Sequence, residues 1–193
     1  MPIQYTATAD GASMAKMLAP VDGSFGYVHG VLSQTAAGEP VEWKYPGRSP
    51  GPYAIIGENT WRDYTVSARV ILPASARGSP PPGALLIARF QGFRKSAINH
   101  FRGYQLRVRG NGGWQIVANG PATVTLASGR VTAARSYTLS LTTRGSIISA
   151  RIDGVLVATV TNRMYRYGPA GLGSLGYYAT RYPSFTVRSL PAA

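Results

Sequence analysis

Asp63-Tyr64-Thr65-Val66-Ser67-Ala68-Arg69-Val70-Ile71-Leu72 is the stretch on which the fold turns. Tyr64, Val66, Ala68, Val70 and Leu72 alternate with Thr65, Ser67, Arg69 and Ile71, a period of two that predicts a strand with one buried face. Downstream, Pro73 to Gly83 carries three consecutive prolines and reads as a loop. Ala84 to Gln91 is more uniformly apolar and is expected to lie centrally in a sheet. Tyr104, Leu106 and Val108 alternate with Gln105, Arg107 and Arg109, and Asn111-Gly112-Gly113 then turns the chain into Trp114–Ala118. Further strands are expected at Thr123–Leu126, Tyr137–Thr142 and Ile147–Ile152, with Asp153-Gly154 turning into Val155–Val160 and Phe185–Leu190 closing. Upstream, the expected strands are Phe25–Leu32, Pro40–Tyr45 and Tyr53–Ile56, while Gly11–Leu18 is a short helix or a loop. About a dozen short strands with frequent turn signals imply an all-β fold, a single antiparallel two-sheet β-sandwich. Residues 1–22 form an N-terminal extension or first edge strand, and residues 23–193 form the sandwich.

Composition bounds the function. The chain has 193 residues, 45% hydrophobic and 14% charged, which excludes disorder and supplies one proper core. No apolar run reaches the roughly 18 residues of a membrane helix. The absence of cysteine excludes disulfides, thiolate zinc sites and cysteine nucleophiles, and two histidines leave little for a histidine metal site. The formal charge is +13, carried unevenly. Residues 1–63 hold four basic and six acidic residues, whereas residues 64–193 hold sixteen basic and one acidic. Seventeen of the twenty bases are arginine, suited to forked contacts with carboxylates, phosphates or aromatic faces. Such a surface attracts polyanions or acidic protein neighbours. Met1 to Tyr5 has no basic segment followed by an apolar one. The expectation is a cytoplasmically made chain that reaches the outside within a particle or a larger secreted enzyme.

Several segments together resemble the C-terminal lectin domain of galactocerebrosidases. They are Glu42-Trp43, the run from Ile55 to Val66, Thr125–Gly129, Tyr137–Leu141, Ile152-Asp153-Gly154 and Gly168–Ser174. They occur in consistent order across residues 23–190. The resemblance implies a concanavalin-like, laminin-G-like jelly roll. It also implies a module that walls a substrate site and contacts glycans, the catalytic glutamates of those hydrolases lying on a separate barrel. Domains of this type often carry Asp-Asn-Phe on the last strand, where the aspartate helps hold calcium. Here the stretch is Tyr182-Pro183-Ser184-Phe185, without a carboxylate, which argues against calcium; no cofactor and no metal ligands are assigned.

The residues themselves favour binding over cleavage. Glycosidases pair two carboxylates about 5–10 Å apart. After Asp63 the only acid is Asp153, a turn residue by its Asp-Gly context, and Glu58 and Asp63 are placed to pair with Arg62 or Arg69. Neither His29 nor His100 sits in a nucleophile setting, and Gly110–Gly113 reads as a hairpin rather than a phosphate loop. No catalytic residue is assigned. Aromatic side chains offer flat faces to sugar rings: Trp43, Tyr53, Trp114, Tyr177 and Tyr178 are the candidate ligand-binding residues. Trp61 and Tyr64 open a strand and are assigned to the core, and Trp114 is either an exposed edge or a core plug. Tyr177-Tyr178 lies in a glycine-rich loop, Gly171 to Tyr182, where two adjacent rings cannot both face inward.

Arg94, Lys95, Arg102, Arg107 and Arg109 form a candidate basic contact surface. Gln91 to Gly103 interleaves Phe93 and Phe101 with bases, a pattern that can bind single-stranded nucleic acid. No nucleic-acid fold signature accompanies it, so an acidic protein neighbour ranks ahead as partner. Two readings result. One is a non-catalytic lectin-like carbohydrate-binding or adhesion module. The other is a decoration or tail-associated protein of a phage particle, attached through its basic surface to an acidic protein lattice.

Overall fold

From Tyr64 to Ile71 the alternation becomes a strand whose inner side chains Tyr64, Val66, Ala68 and Val70 are buried while Arg69 is exposed. The computed structural model describes residues 4–7, 18–36, 51–75, 80–92 and 102–191. These contain fifteen strands. The first five are β1 (Gln4–Ala7), β2 (Ala19–Asp22), β3 (Phe25–Val28), β4 (Val31–Gln34) and β5 (Tyr53–Ile56). Next come β6 (Tyr64–Ile71), β7 (Gly83–Ala88), β8 (Gly103–Arg109), β9 (Gly113–Asn119) and β10 (Thr123–Arg130). The last are β11 (Ser136–Arg144), β12 (Ile147–Ile152), β13 (Val155–Thr161), β14 (Ala170–Leu175) and β15 (Arg181–Ser189).

They pair into two antiparallel sheets. One has eight strands in the order β13-β12-β11-β6-β15-β4-β3, with β1 also on β15; the other has seven, β10-β9-β8-β7-β14-β5-β2. The inner faces meet in one core. Val66, Leu139, Leu141, Ile148 and Phe185 come from the first sheet, and Leu86, Leu106, Val108, Ile116 and Leu172 from the second. Each such buried apolar side chain contributes roughly 1.5–3 kcal/mol relative to exposure. Among the described residues there is no helix. The fold is the expected two-sheet antiparallel sandwich.

Several strand boundaries differ from expectation for local reasons. Phe25–Leu32 is not one strand but a hairpin, because His29 (φ 50°) and Gly30 (φ 75°) make a two-residue turn between β3 and β4. The apolar run from Ala84 stops at Ala88, since Arg89 has φ 52° and leaves the sheet. The glycine-rich stretch expected as a loop begins with a strand, β14, which occupies a central position between β7 and β5. Asp153 (φ 50°) and Gly154 (φ 82°) make the expected turn, and Asp153 Oδ1 accepts the Thr138 amide at 2.6 Å. The strand expected at Pro40–Tyr45 and residues 11–17 of the expected helix lie outside the described residues.

Candidate functional site

The outer face of the seven-stranded sheet is built by parity. On β8, Tyr104, Leu106 and Val108 enter the core, so Gln105, Arg107 and Arg109 face out. On β9, Trp114, Ile116 and Ala118 enter the core, leaving Gln115, Val117 and Asn119 outward. On β10 a bulge between Thr125 and Ala127 resets the parity, so Ser128 pairs with Gln115. Cross-strand register then aligns one row across the whole sheet: Ser128, Gln115, Arg107, Leu85, Gly173, Tyr53 and Asp22. At the usual strand spacing it is about 29 Å long.

The row has two halves. Tyr53, Leu85, Ile87 and Phe90 form a second, smaller apolar cluster on this outer face. The half on β8–β10 is polar and cationic. Two adjoining depressions share Arg107, Arg109 and Leu175. One, of about 440 Å³, adds Gln115, Ser128, Arg130 and Asn111. The other, of about 360 Å³, adds Gln105, Leu85, Tyr177 and Tyr178.

The polar groups are held by one another. Arg107 Nε donates to Gln105 Oε1 at 2.7 Å, and its Nη2 donates to Asn119 Oδ1 at 3.1 Å. Asn119 Oδ1 also accepts Thr123 Oγ1 at 2.9 Å. Arg109 Nη1 donates to the Pro81 carbonyl at 2.9 Å, and Arg130 Nη2 to the Asn111 carbonyl at 3.0 Å. Burial pushes the Arg107 guanidinium below its ordinary range, and the Arg109 charge beside it pushes the same way. On the rim, the Tyr177 hydroxyl donates to the Asp22 carboxylate, at 3.0 and 3.1 Å to its two oxygens. The Tyr178 hydroxyl donates to the Pro80 carbonyl at 2.9 Å. Both rings are half-buried and both line the same depression.

Of the expected ligand-binding residues, the structure brings Tyr177 and Tyr178 together with Arg107 and Arg109. Two others are corrected. Trp114 is 7% exposed and belongs to the core, because it shares parity with Ile116 and Ala118, although it also lines one depression. Tyr53 is 1% exposed beneath the outer apolar cluster, edge-on to Phe90 with ring centroids 6.2 Å apart, and offers no open face. Arg102 stands just before β8, at the opposite end of that strand from Arg109 and about 23 Å away. Trp43, Arg94 and Lys95 lie outside the described residues. Gln105, Gln115, Ser128 and Arg130 were missed by sequence reading. The signal for Gln105 and Gln115 was the alternation of the hairpin that already placed Arg107 and Arg109 on one face.

The acids are otherwise engaged. Asp63 pairs with Arg89, not with Arg62 or Arg69, at 3.1 Å, and its Oδ1 also accepts the Gly145 amide. Arg89 closes one end of the sandwich beside a cavity of about 280 Å³ lined by Arg62, Arg163 and Arg166. At the position where the family places a calcium-binding aspartate, Ser184 Oγ accepts the Arg69 amide at 3.2 Å, and Tyr182 and Phe185 are buried in the core. One hydroxyl does not make the six to eight oxygens that calcium takes, so this site does not fit the ion. Among the described residues no group of three or more His, Asp or Glu is placed to hold a metal.

An antiparallel sandwich with one polar, furrowed sheet face is a lectin-type architecture. Residues 23–190 match the family described as galactocerebrosidase, C-terminal lectin domain, and the chain belongs to that family. No curated protein matches it in sequence. Among solved structures, the carbohydrate-binding module CBM66 of Bacillus subtilis is similar at 16% identity and TM-score 0.63, over 90% of this chain and 96% of that one. A Bacillus subtilis protein of unknown function with a galectin-like fold gives 13% identity and TM-score 0.66, over 99% and 100%. The exoplasmic/lumenal domain of VIP36, solved with Ca2+ and Man3GlcNAc bound, gives 11% identity and TM-score 0.63, over 92% and 85%. These likenesses show the fold. The phage-attachment expectation draws no support from these matches.

Proposed function

We propose that the chain is a non-catalytic glycan-binding module whose ligand lies across the outer face of the seven-stranded sheet, over β8–β10. The observation that carries this reading is the row from Ser128 through Gln115 and Arg107. It sets hydrogen-bonding side chains on rigid strands, with the Tyr177 and Tyr178 rings at the edge of the same furrow. Pre-ordered polar groups fix hydroxyl orientation, and a ring supplies a flat apolar face. The family of lectin domains supports the same reading. Neither depression is lined by a carboxylate among the described residues, which leaves it without the acid pair of a glycosidase.

Titration calorimetry against a panel of galactose- and mannose-containing oligosaccharides tests the proposal. Saturable binding at micromolar to millimolar ligand is expected. A folded protein that binds none of them ends it. Once a ligand is found, Tyr178→Ala is expected to lower affinity about tenfold, or ~1.4 kcal/mol. Tyr178→Phe keeps the ring and is expected to hold affinity within about twofold. Equal losses for both variants would assign Tyr178 a role through its hydroxyl and the Pro80 loop instead.

A further inference from the structure

We infer that the ligand of this face is an acidic saccharide, whose carboxylate or sulfate sits against Arg107 and Arg109 while its hydroxyls meet the flanking side chains. The inference rests on the glycan-binding reading and narrows it to a ligand class.

The first argument is donor–acceptor balance. A neutral sugar presents hydroxyls that both donate and accept, so its site needs acceptors as well as donors. Here two amide acceptors beside Arg107 are engaged internally: Gln105 Oε1 takes Arg107 Nε, and Asn119 Oδ1 takes Arg107 Nη2 and Thr123 Oγ1. Arg109 and Arg130 are each held through one nitrogen by a backbone carbonyl, which leaves further N–H groups of each fork for a ligand. Gln115 and Ser128 can both donate and accept, but what Arg107, Arg109 and Arg130 offer outward is donors alone. An ionised carboxylate or sulfate only accepts, and the planar fork of arginine matches it with two parallel bonds.

The second argument is electrostatic. Arg107 and Arg109 lie two residues apart on one face of β8, about 7 Å along the strand. Arg107 is partly dehydrated with that like charge beside it. Neither forms a salt bridge among the described residues. Asp22, the one carboxylate of the row, is four strands from Arg107, about 19 Å, and accepts the Tyr177 hydroxyl. At physiological salt that separation exceeds the roughly 8 Å screening length, so Asp22 does not serve as counter-ion. The neutral side chains that hold Arg107 orient its charge without neutralising it, and an anionic ligand supplies what the row lacks.

The test compares matched pairs. Oligogalacturonate is set against its methyl ester, and a sulfated galactan oligosaccharide against its unsulfated parent, with single-stranded DNA as a polyanion without these sugars. At about 50 mM salt the free acid or the sulfated oligomer is expected to bind at least tenfold tighter than its neutral partner, whichever of the two does so naming the anion. The advantage should shrink toward none at about 500 mM. In Arg107→Gln with Arg109→Gln the charged-to-neutral affinity ratio is expected to fall to about one. Arg109→Gln alone, which leaves the Gln105 and Asn119 contacts of Arg107 in place, covers the case in which the double variant does not fold. Neutral oligomers binding as tightly as charged ones would overturn this inference and leave the glycan-binding reading standing. DNA binding as tightly as either acidic sugar would overturn it in favour of nucleic acid. Failure of every saccharide would remove both.

Discussion

Arg89→Met is expected to lower the stability of the fold by about 4 kcal/mol, seen as a lower denaturation midpoint at an unchanged urea slope. The reason is the number of groups that one side chain serves. Arg89 is 1% exposed, and its Nη1 donates to the carbonyls of Gly145 and Tyr165 at 2.8 and 2.9 Å. Its Nε donates to the Arg62 carbonyl at 3.0 Å. These three carbonyls belong to the lead-in to β6, the turn between β11 and β12, and the chain between β13 and β14. The backbone amide of Arg89 adds a bond to the Tyr64 hydroxyl at 2.6 Å, and that hydroxyl donates to the Gly168 carbonyl at 2.9 Å.

Burial pushes the guanidinium below its ordinary range, with Tyr64 and Asp63 opposing the shift. Methionine fills much of the volume but donates nothing, so the Gly145 and Tyr165 carbonyls lose their partner and the Arg62 carbonyl keeps only Thr143 Oγ1, at 3.0 Å, with roughly 1–3 kcal/mol lost for each acceptor left dry. The salt bridge is the smaller part. Asp63 is 44% exposed and can turn to water, so Asp63→Asn is expected to cost less than about 1 kcal/mol. A larger loss in Asp63→Asn than in Arg89→Met would show that the ion pair, not the carbonyl clamp, holds this end of the sandwich. Arg89→Lys is expected to fall near Arg89→Met, because a single ammonium cannot reach three divergent carbonyls.

The same residue marks where sequence reading gives out. Strands with one polar and one apolar face, such as β6, β11 and the β12–β13 hairpin, are written in alternation, and their inner faces follow at once. Arg89 extends an apolar run, and nothing in that run signals that a positive φ turns the side chain away from the sheet's outer face and into a ring of carbonyls. The hairpin between β3 and β4 was hidden because His29, not an asparagine or glycine, takes the first positive-φ position. β15 runs longer than its sequence suggests because a register shift between Arg181 and Ser184 absorbs Pro183.

The positions of the candidate site residues followed the same logic. Arg107 and Arg109 were legible from parity, and Tyr177-Tyr178 from the impossibility of burying two adjacent rings. Trp114, beside a turn, reads as either an exposed edge or a core plug, and its parity with Ile116 and Ala118 decides for the core. Tyr53 had no such signal. It faces outward, yet the outer face on its side of the sheet is itself apolar, and period-two reasoning cannot tell a covered outer face from an open one.

β14 shows the opposite failure, a strand whose composition argues against it, and it yields the second large effect. Gly173→Val is expected to destabilise the protein by about 3 kcal/mol, although valine is among the best strand formers and glycine among the poorest. Gly173 lies between Leu85 on β7 and Tyr53 on β5. A Cβ there would sit 2.5 Å from the Pro52 carbonyl oxygen, 2.6 Å from Tyr53 Cβ and 3.0 Å from Tyr53 Cα. These are backbone atoms and a side-chain root, which cannot swing aside as a flexible tip would. Retreat of Pro52 would also break the bond from the Ser174 amide to its carbonyl, 2.9 Å, just ahead of Gly176, Tyr177 and Tyr178. Valine at 173 should therefore disturb the tyrosine rim as well as the sheet, and the saccharide affinity proposed for this face should fall in whatever fraction remains folded.

Gly26 on β3 is the control: a Cβ there meets nothing within 4 Å, so Gly26→Val is expected to be neutral or stabilising by up to about 1 kcal/mol. If both valines leave the urea midpoint unmoved, residues 170–175 are the loop that their glycines suggest. A clear loss at 173 alone means that the absence of a side chain lets β5 approach this strand and carries the row from Arg107 across to Asp22.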